Sequence, residues 1–398
     1  MPVDLFEKCT RWDRADELRR IGLYPYFQPI SETHTESVVI DGRRLIMIGS
    51  NNYLGLTHHP HVVAAAIDAV RRYGSGCTGS RFLNGTLDLH VELENRLARF
   101  MRKESCLTFS TGFQVNLGVI STLVGKNDVV LCDRENHASI FDGCRLSFGE
   151  LYKYRHNDME DLERQLKRVP DDAGKLVVTD GVFSMKGDLV DLPSLVKVAR
   201  KYGARIMLDD AHGVGVLGAN GRGTAEHFGL EDEIDVIVGT FSKSFASLGG
   251  FAVSNAKVID YVKHTGRSII FSASAPPSAV AAALAALDII ESEPQRRERL
   301  WQNVSRMQSK LLDLGYDVGQ SRAAIIPIRI GGNMETFQFW RRLHDAGVFT
   351  NPVVAPAVPP DEGMIRTSYM ATHTFEELDK VVDVFARLGR DAGLLKVA

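Results

Sequence analysis

The sequence predicts an α/β protein with a mostly parallel sheet flanked by helices, followed by a smaller α+β C-terminal domain. Three observations carry that prediction. Between about residues 50 and 275, short apolar runs alternate with helical patterns, the rhythm of parallel strands joined by crossover helices. The runs are nearly continuous in Val, Ile and Leu, as strands buried on both faces are. From about residue 276 the rhythm changes to long helices with one further strand. The expected units are an N-terminal helix and hairpin segment 1–49, a large α/β domain 50–275 and a C-terminal α+β domain 276–398.

Taken in order, residues 1–22 read as an amphipathic helix, and 37–48 as two short strands around the turn Asp41-Gly42. The strands expected next are Val129–Cys132, Leu176–Thr179, Ile206–Leu208, Val236–Val238 and Phe251–Val253. Helices are expected at Val62–Arg72, Met159–Arg168 and Leu192–Tyr202. The C-terminal part offers helices Ser278–Ser292 and Arg297–Leu314, a strand Ala324–Ile330, and helices Thr336–Ala346 and Thr374–Leu394. The stretch Asn351–Pro360, with four prolines, reads as a loop that cannot pair as a central strand.

Composition narrows the function. A chain of 398 residues with 44% hydrophobic and 24% charged residues can bury a large core, and its size suggests more than one domain. A net charge of −3 gives no reason to expect nucleic acid or an anionic membrane as partner. No apolar run reaches membrane-spanning length, and the charged N-terminus is not a signal peptide. Five cysteines without a CxxC pair suit a reducing cytoplasm.

Gly74 to Gly79 matches G-x-G-x-x-G, but it follows a helical segment and opens no helix, so it is not read as a dinucleotide site. A stronger constellation lies at the carboxyl ends of strands, where α/β sheets bind ligands. One strand runs into Asp209-Asp210-Ala211-His212, another into Thr240-Phe241-Ser242-Lys243, and a third through Asp133 to His137. Asp209 and Asp210 point to opposite sides of a strand and no further ligand stands near, which disfavours a metal. A pyridoxal cofactor needs a lysine amine to hold it, a carboxylate to keep its ring nitrogen protonated, and donors for its phosphate. Lys243, Asp209 and the hydroxyls of Thr240 and Ser242 supply these. Small residues (Ala211, Ser244, Ala246, Ser247) leave room for a flat ring, and His137 can lie on its face. Further phosphate donors stand at Ser110-Thr111-Gly112-Phe113, ahead of a helix expected over Gln114–Leu123.

Six stretches resemble the α-oxoamine synthase family: residues 50–56, 79–86, 136–140, 180–185, 209–212 and 239–243, in the family's order along residues 15–395. The resemblance implies fold-type I pyridoxal 5'-phosphate (PLP) enzymes, homodimers with the active site at the subunit interface, that condense an amino acid with an acyl-CoA and release CoA and CO2. It assigns Lys243 to the covalent bond with the cofactor and Asp209 to the ring nitrogen. His212 falls to the ring hydroxyl and His137 to stacking on the ring, with Ser184 beside it. Gly112, Phe113 and Thr240 fall to the phosphate, helped by Ser272 and Ala273 of the neighbouring subunit. Arg366 falls to the substrate carboxylate, which a guanidinium fork suits, with Asn52 and Ser368 nearby. Segments 74–86, 240–251 and 268–277 look most like soluble bacterial serine palmitoyltransferases, which makes serine and a long-chain acyl-CoA the preferred substrates. Segments 179–187 and 324–330 fit glycine C-acetyltransferases equally well; 8-amino-7-oxononanoate and 5-aminolevulinate synthases share the template, and an aminotransferase of the same fold stays open.

Overall fold

The computed structural model describes residues 3–395. Its centre is a seven-stranded sheet. In chain order the strands are β1 (Ser105–Phe109), β2 (Asp128–Asp133), β3 (Glu150–Tyr154), β4 (Gly174–Asp180), β5 (Arg205–Asp209), β6 (Val236–Thr240) and β7 (Gly250–Ser254). In space they run β1-β7-β6-β5-β4-β2-β3. The pairs from β6 to β3 are parallel, while β7 is antiparallel to both of its neighbours. The short link 241–249 explains that reversal, because a parallel crossover needs a longer connection.

Period-two alternation divides the strands between two cores, one on each face. Val129 and Leu131 join one buried cluster and Val130 and Cys132 the other; Ile206 and Leu208 oppose Met207 in the same way. Burying each such Leu or Ile contributes about 2 kcal/mol. All five expected strands of this sheet form. The two that go beyond the expectation, β1 and β3, are its edges. Exposed Glu150 and Lys153 blunt the β3 edge against further pairing, and in β1 the interleaved Ser105, Cys106 and Thr108 hide the strand signal.

This architecture sets the site. β2, β4, β5 and β6 all end in polar residues at one rim of the sheet: Asp133, Asp180, Asp209 and Thr240. Because β7 is reversed, its first residue, Gly250, stands at that rim too, opposite Thr240 and Phe109. The helix Gly112–Leu123 starts there, capped by the Thr111 hydroxyl, which accepts from Gln114 N at 3.2 Å.

Outside the main sheet, Ser37–Ile40 and Arg43–Met47 form the expected hairpin, with Asp41 and Gly42 at positive φ as a tight turn requires. Val348–Phe349 adds to it in parallel. The segment read as one helix over 1–22 is two short helices, Glu7–Thr10 and Arg14–Arg20, interrupted around Trp12 and Asp13, where helix propensity is poor; residues 1–2 of that expectation lie outside the described residues. The proline-rich stretch also needs correction, since Asn351–Val353 is a strand. It sits at the edge of a three-stranded sheet, where Pro352 is tolerated, beside the central strand Gly363–Ser368 that carries Arg366. Among the described residues no helix is long and apolar enough to cross a membrane.

Candidate active site

A cavity of about 240 Å³ opens at the rim of the sheet. Lys243, Asp209, His137, His212, Ser184, Gly112, Phe113, Thr240 and Ser242 all line it, drawn together from five separate segments. Asp209 stands at the end of β5, and Lys243 in the turn after β6. The chain also brings in Asn116 and Asp180, which sequence reasoning does not single out.

The carboxylate of Asp209 is held on both oxygens. Ala211 N donates to Oδ1 at 3.1 Å and Asn116 Nδ2 to Oδ2 at 2.6 Å. The second hydrogen of the same amide reaches Ser139 Oγ at 2.8 Å, and that hydroxyl lies 2.7 Å from His137 Nδ1. Since Ser139 Oγ accepts from Asn116, its own proton goes to Nδ1, and His137 carries its hydrogen on Nε2. Burial, aided by the Lys243 charge and opposed by Asp209, lowers the His137 pKa and keeps the ring neutral. Asn116 thus fixes both the carboxylate and the tautomer of the histidine.

His212 is fixed from the other side. Its Nδ1 is 2.7 Å from the hydroxyl of Tyr53, a fully buried side chain. Burial, then Lys243 and Arg366, hold His212 well below the usual histidine range, so it too is neutral. Burial pushes the Tyr53 phenol up to about 12 despite nearby Arg366, so the phenol keeps its proton.

Burial likewise drives the Lys243 amine down, to about 8; Arg366 adds to this effect, and Asp209, Asp180 and Asp210 oppose it. Asp180 is pushed well above the usual carboxylate range by burial and by the charge of Asp209, while one of its oxygens accepts from His137 N at 2.8 Å. Asp210 faces away from the cavity and caps Thr224, accepting from its N and Oγ1, both at 2.6 Å.

At the opposite end, Gly112 and Phe113 open a helix, so their amides have no intrahelical acceptor. Thr240 Oγ1 lies 2.9 Å from Ser242 Oγ beside them. The cradle tolerates no side chain at 112, where a Cβ would meet Thr240 Oγ1 at 2.8 Å, nor at 250, where it would meet the Cα of Gly112 at 2.8 Å. A buried lysine amine, a braced carboxylate and a helix N-terminus with adjacent hydroxyls are together the donor set that pyridoxal phosphate needs.

Arg366 is buried next to this cavity. Its Nε donates to Ser184 O at 2.6 Å, Nη1 to Ser368 Oγ at 3.2 Å and Nη2 to Asn51 Oδ1 at 3.0 Å. That leaves one N–H on each terminal nitrogen for a two-oxygen partner. Asn52 is committed elsewhere: its side chain donates to Thr57 Oγ1 and accepts from Leu56 N, closing the turn. Its neighbour Asn51 is the residue that touches Arg366. Ser272 and Ala273 do not line the cavity of their own chain. Ser272 Oγ accepts from Gln114 Nε2 at 2.7 Å, and Ala273 O accepts from Ser110 Oγ, both just outside it.

Known proteins share this arrangement of chain. The family model for aminotransferase class I and II matches residues 43–385. A serine palmitoyltransferase of Sphingobacterium spiritivorum is 53% identical over 98% of this chain and 97% of its own. An 8-amino-7-oxononanoate synthase of Thermoanaerobacter pseudethanolicus is 42% identical over 96% and 97%. Among solved structures, a Lys-to-Ala variant of the S. paucimobilis serine palmitoyltransferase, with PLP and myriocin bound, superposes with a TM-score of 0.95 at 38% identity, covering 99% of this chain and 100% of that one. The chain belongs to the aminotransferase class I and II family and, within it, to the serine palmitoyltransferase-like α-oxoamine synthases.

Proposed function

We propose that this PLP-dependent C-acyltransferase joins L-serine to a long-chain acyl-CoA, releasing CoA and CO2 and leaving an α-amino ketone. One observation carries the reading: the buried Lys243 amine lies in one cavity with a carboxylate braced on both oxygens, beside a buried arginine held by Ser184, Ser368 and Asn51.

Lys243 anchors the cofactor, Asp209 serves its ring nitrogen, and the amides of Gly112 and Phe113 with Thr240 and Ser242 hold its phosphate. When bound, pyridoxal phosphate supplies an electron sink for the charge left as the substrate Cα loses its proton. Arg366 takes the serine carboxylate and so fixes which bond at Cα stands ready to break. The Lys243 amine is the base: burial lowers it to about 8, well below an ordinary lysine, which suits it to take the Cα proton near neutral pH once it no longer holds the cofactor. Neutral His137, with its hydrogen on Nε2, would lie against the face of the cofactor ring. His212, held at Nδ1 by Tyr53, would have Nε2–H to offer the cofactor's ring oxygen.

The same proposal takes the enzyme as a cytoplasmic homodimer. Five free cysteines suit a reducing compartment, and Ser272 and Ala273, which this reading gives to the partner's phosphate, lie outside the cavity of their own chain. Serine is favoured because four serine palmitoyltransferases are 47–53% identical to this chain, against 40–42% for the oxononanoate synthases. The test is CoA release with Gly, Ala and Ser crossed against acetyl-, succinyl-, pimeloyl- and palmitoyl-CoA. Serine with palmitoyl-CoA is expected to dominate. Dominance of glycine with acetyl-CoA would overturn the substrate assignment.

A further inference from the structure

The Arg366 clamp depends on a backbone carbonyl, that of Ser184, and Ser184 sits in a small hairpin rather than in the sheet. Residues 181–190 fold back on themselves: Phe183 N donates to Asp188 O at 3.0 Å, Val190 N to Gly181 O at 3.1 Å, and Val182 bridges Leu189. Such a loop has little intrinsic reason to hold one position to a fraction of an ångström.

His156 supplies a tie. From the turn after β3 its Nδ1 reaches Asp133 Oδ1 at 3.1 Å, at the end of β2, and its Nε2 reaches Asp188 Oδ2 at 2.7 Å, on the hairpin. Carboxylates accept, so both ring nitrogens donate and the ring is an imidazolium. The three groups that pair with it are acidic: Asp133, Asp188, and Glu135 at 3.9 Å, itself paired with Lys186 at 2.7 Å. Burial opposes the charge, but the bonds to Asp133 and Asp188 outweigh it and push the ring up to about 10. The ring also meets Phe183 edge-on at 4.3 Å, so it grips the hairpin on both sides of Ser184. Next door, Asn157 donates to Leu189 O and accepts from Asp191 N, both at 2.9 Å. The far side is pinned by Arg322 N on Gly187 O at 2.9 Å, so the hairpin is clasped between the large sheet and the C-terminal segment.

We propose that His156 is a positioning residue for amino-acid binding: by tying Asp188 to Asp133 it sets where the Ser184 carbonyl holds Nε of Arg366, and hence the angle at which the guanidinium fork meets the substrate carboxylate. This rests on the reading of Arg366 as the carboxylate clamp. His156 does not itself line the cavity, so its effect reaches the site only through the hairpin that carries Ser184.

The test uses the holoenzymes of His156→Gln, Asp188→Ala and Arg366→Lys, measuring KM for L-serine and kcat by CoA release with palmitoyl-CoA, together with melting temperature. Asp188→Ala cuts the tie at its more exposed end and reads the same effect should His156→Gln fold poorly. Both are expected to raise the serine KM about tenfold, the equivalent of about 1.4 kcal/mol, with kcat and the cofactor absorbance nearly unchanged. A merely structural histidine would lower the melting temperature and leave KM alone. If Arg366→Lys raises the serine KM while His156→Gln and Asp188→Ala do not, the proposal is overturned. If Arg366→Lys leaves KM unchanged, the clamp reading itself falls and this proposal with it.

Discussion

Asn116 donates to Oδ2 of Asp209 at 2.6 Å, from the middle of an otherwise apolar helix face. Replacing it with Ala strips one bond from a buried carboxylate and frees Ser139 from its role on His137. Asn116→Ala should cost about 2 kcal/mol of cofactor affinity, roughly thirtyfold in Kd. Titration of the apoprotein with PLP, followed by absorbance, measures it; an unchanged Kd would mean the amide is incidental.

Tyr53 plays the corresponding part for His212. Tyr53→Phe removes the only hydroxyl on Nδ1 at 2.7 Å and leaves a buried ring nitrogen unpaired, which costs about 1–3 kcal/mol. The expected result is a fall in kcat/KM of roughly tenfold to a hundredfold, with a shift in the bound cofactor's absorption. Steady-state assay and the spectrum of the variant test this together.

The phosphate cradle allows a steric test. In Gly112→Ala the added methyl would stand 2.8 Å from Thr240 Oγ1 and 3.0 Å from its Cβ, so either the helix start or Thr240 must move. Cofactor should then dissociate faster, with the overall fold kept. A control at Gly203, where an added Cβ meets nothing within 4 Å but the positive φ of 65° strains any side chain, should lower the melting temperature slightly and leave cofactor binding unchanged.

The lowered amine of Lys243 has a direct pH consequence. Only the uncharged amine attacks the cofactor's aldehyde, so cofactor uptake by the apoprotein should slow as pH falls through about 8 and level off above it. A lysine at its ordinary value would show uptake still climbing toward pH 10. Stopped-flow absorbance across pH 6.5–9.5 separates the two.

How much of this could be read from the residues follows their physics. Lys243 and Asp209 are legible because each follows a short apolar run, and strand ends are where α/β sheets bind ligands. Asn116 is not: beside Gln114, Ser121 and Thr122 it looks like ordinary helix polarity until the fold aims it at Asp209. Tyr53 reads as core, and it is core; only its hydroxyl reaches the site. Asn51 and Asn52 are indistinguishable in sequence, and the turn decides which one caps Leu56 and which faces Arg366. The edge strand β3 escapes because it carries charge where central strands carry Val and Ile, and β1 because Ser105, Cys106 and Thr108 break its apolar run. The hairpin bearing Ser184 escapes because its anchor, His156, lies in a different loop of the chain.

The central claim is that Lys243 both holds the cofactor and moves the substrate proton, and the most direct measurement is turnover of Lys243→Ala beside the native enzyme under saturating serine, palmitoyl-CoA and PLP. Loss of the lysine-bound cofactor absorbance together with loss of CoA release is the expected result. A Lys243→Ala protein that still releases CoA at the native rate would contradict the account.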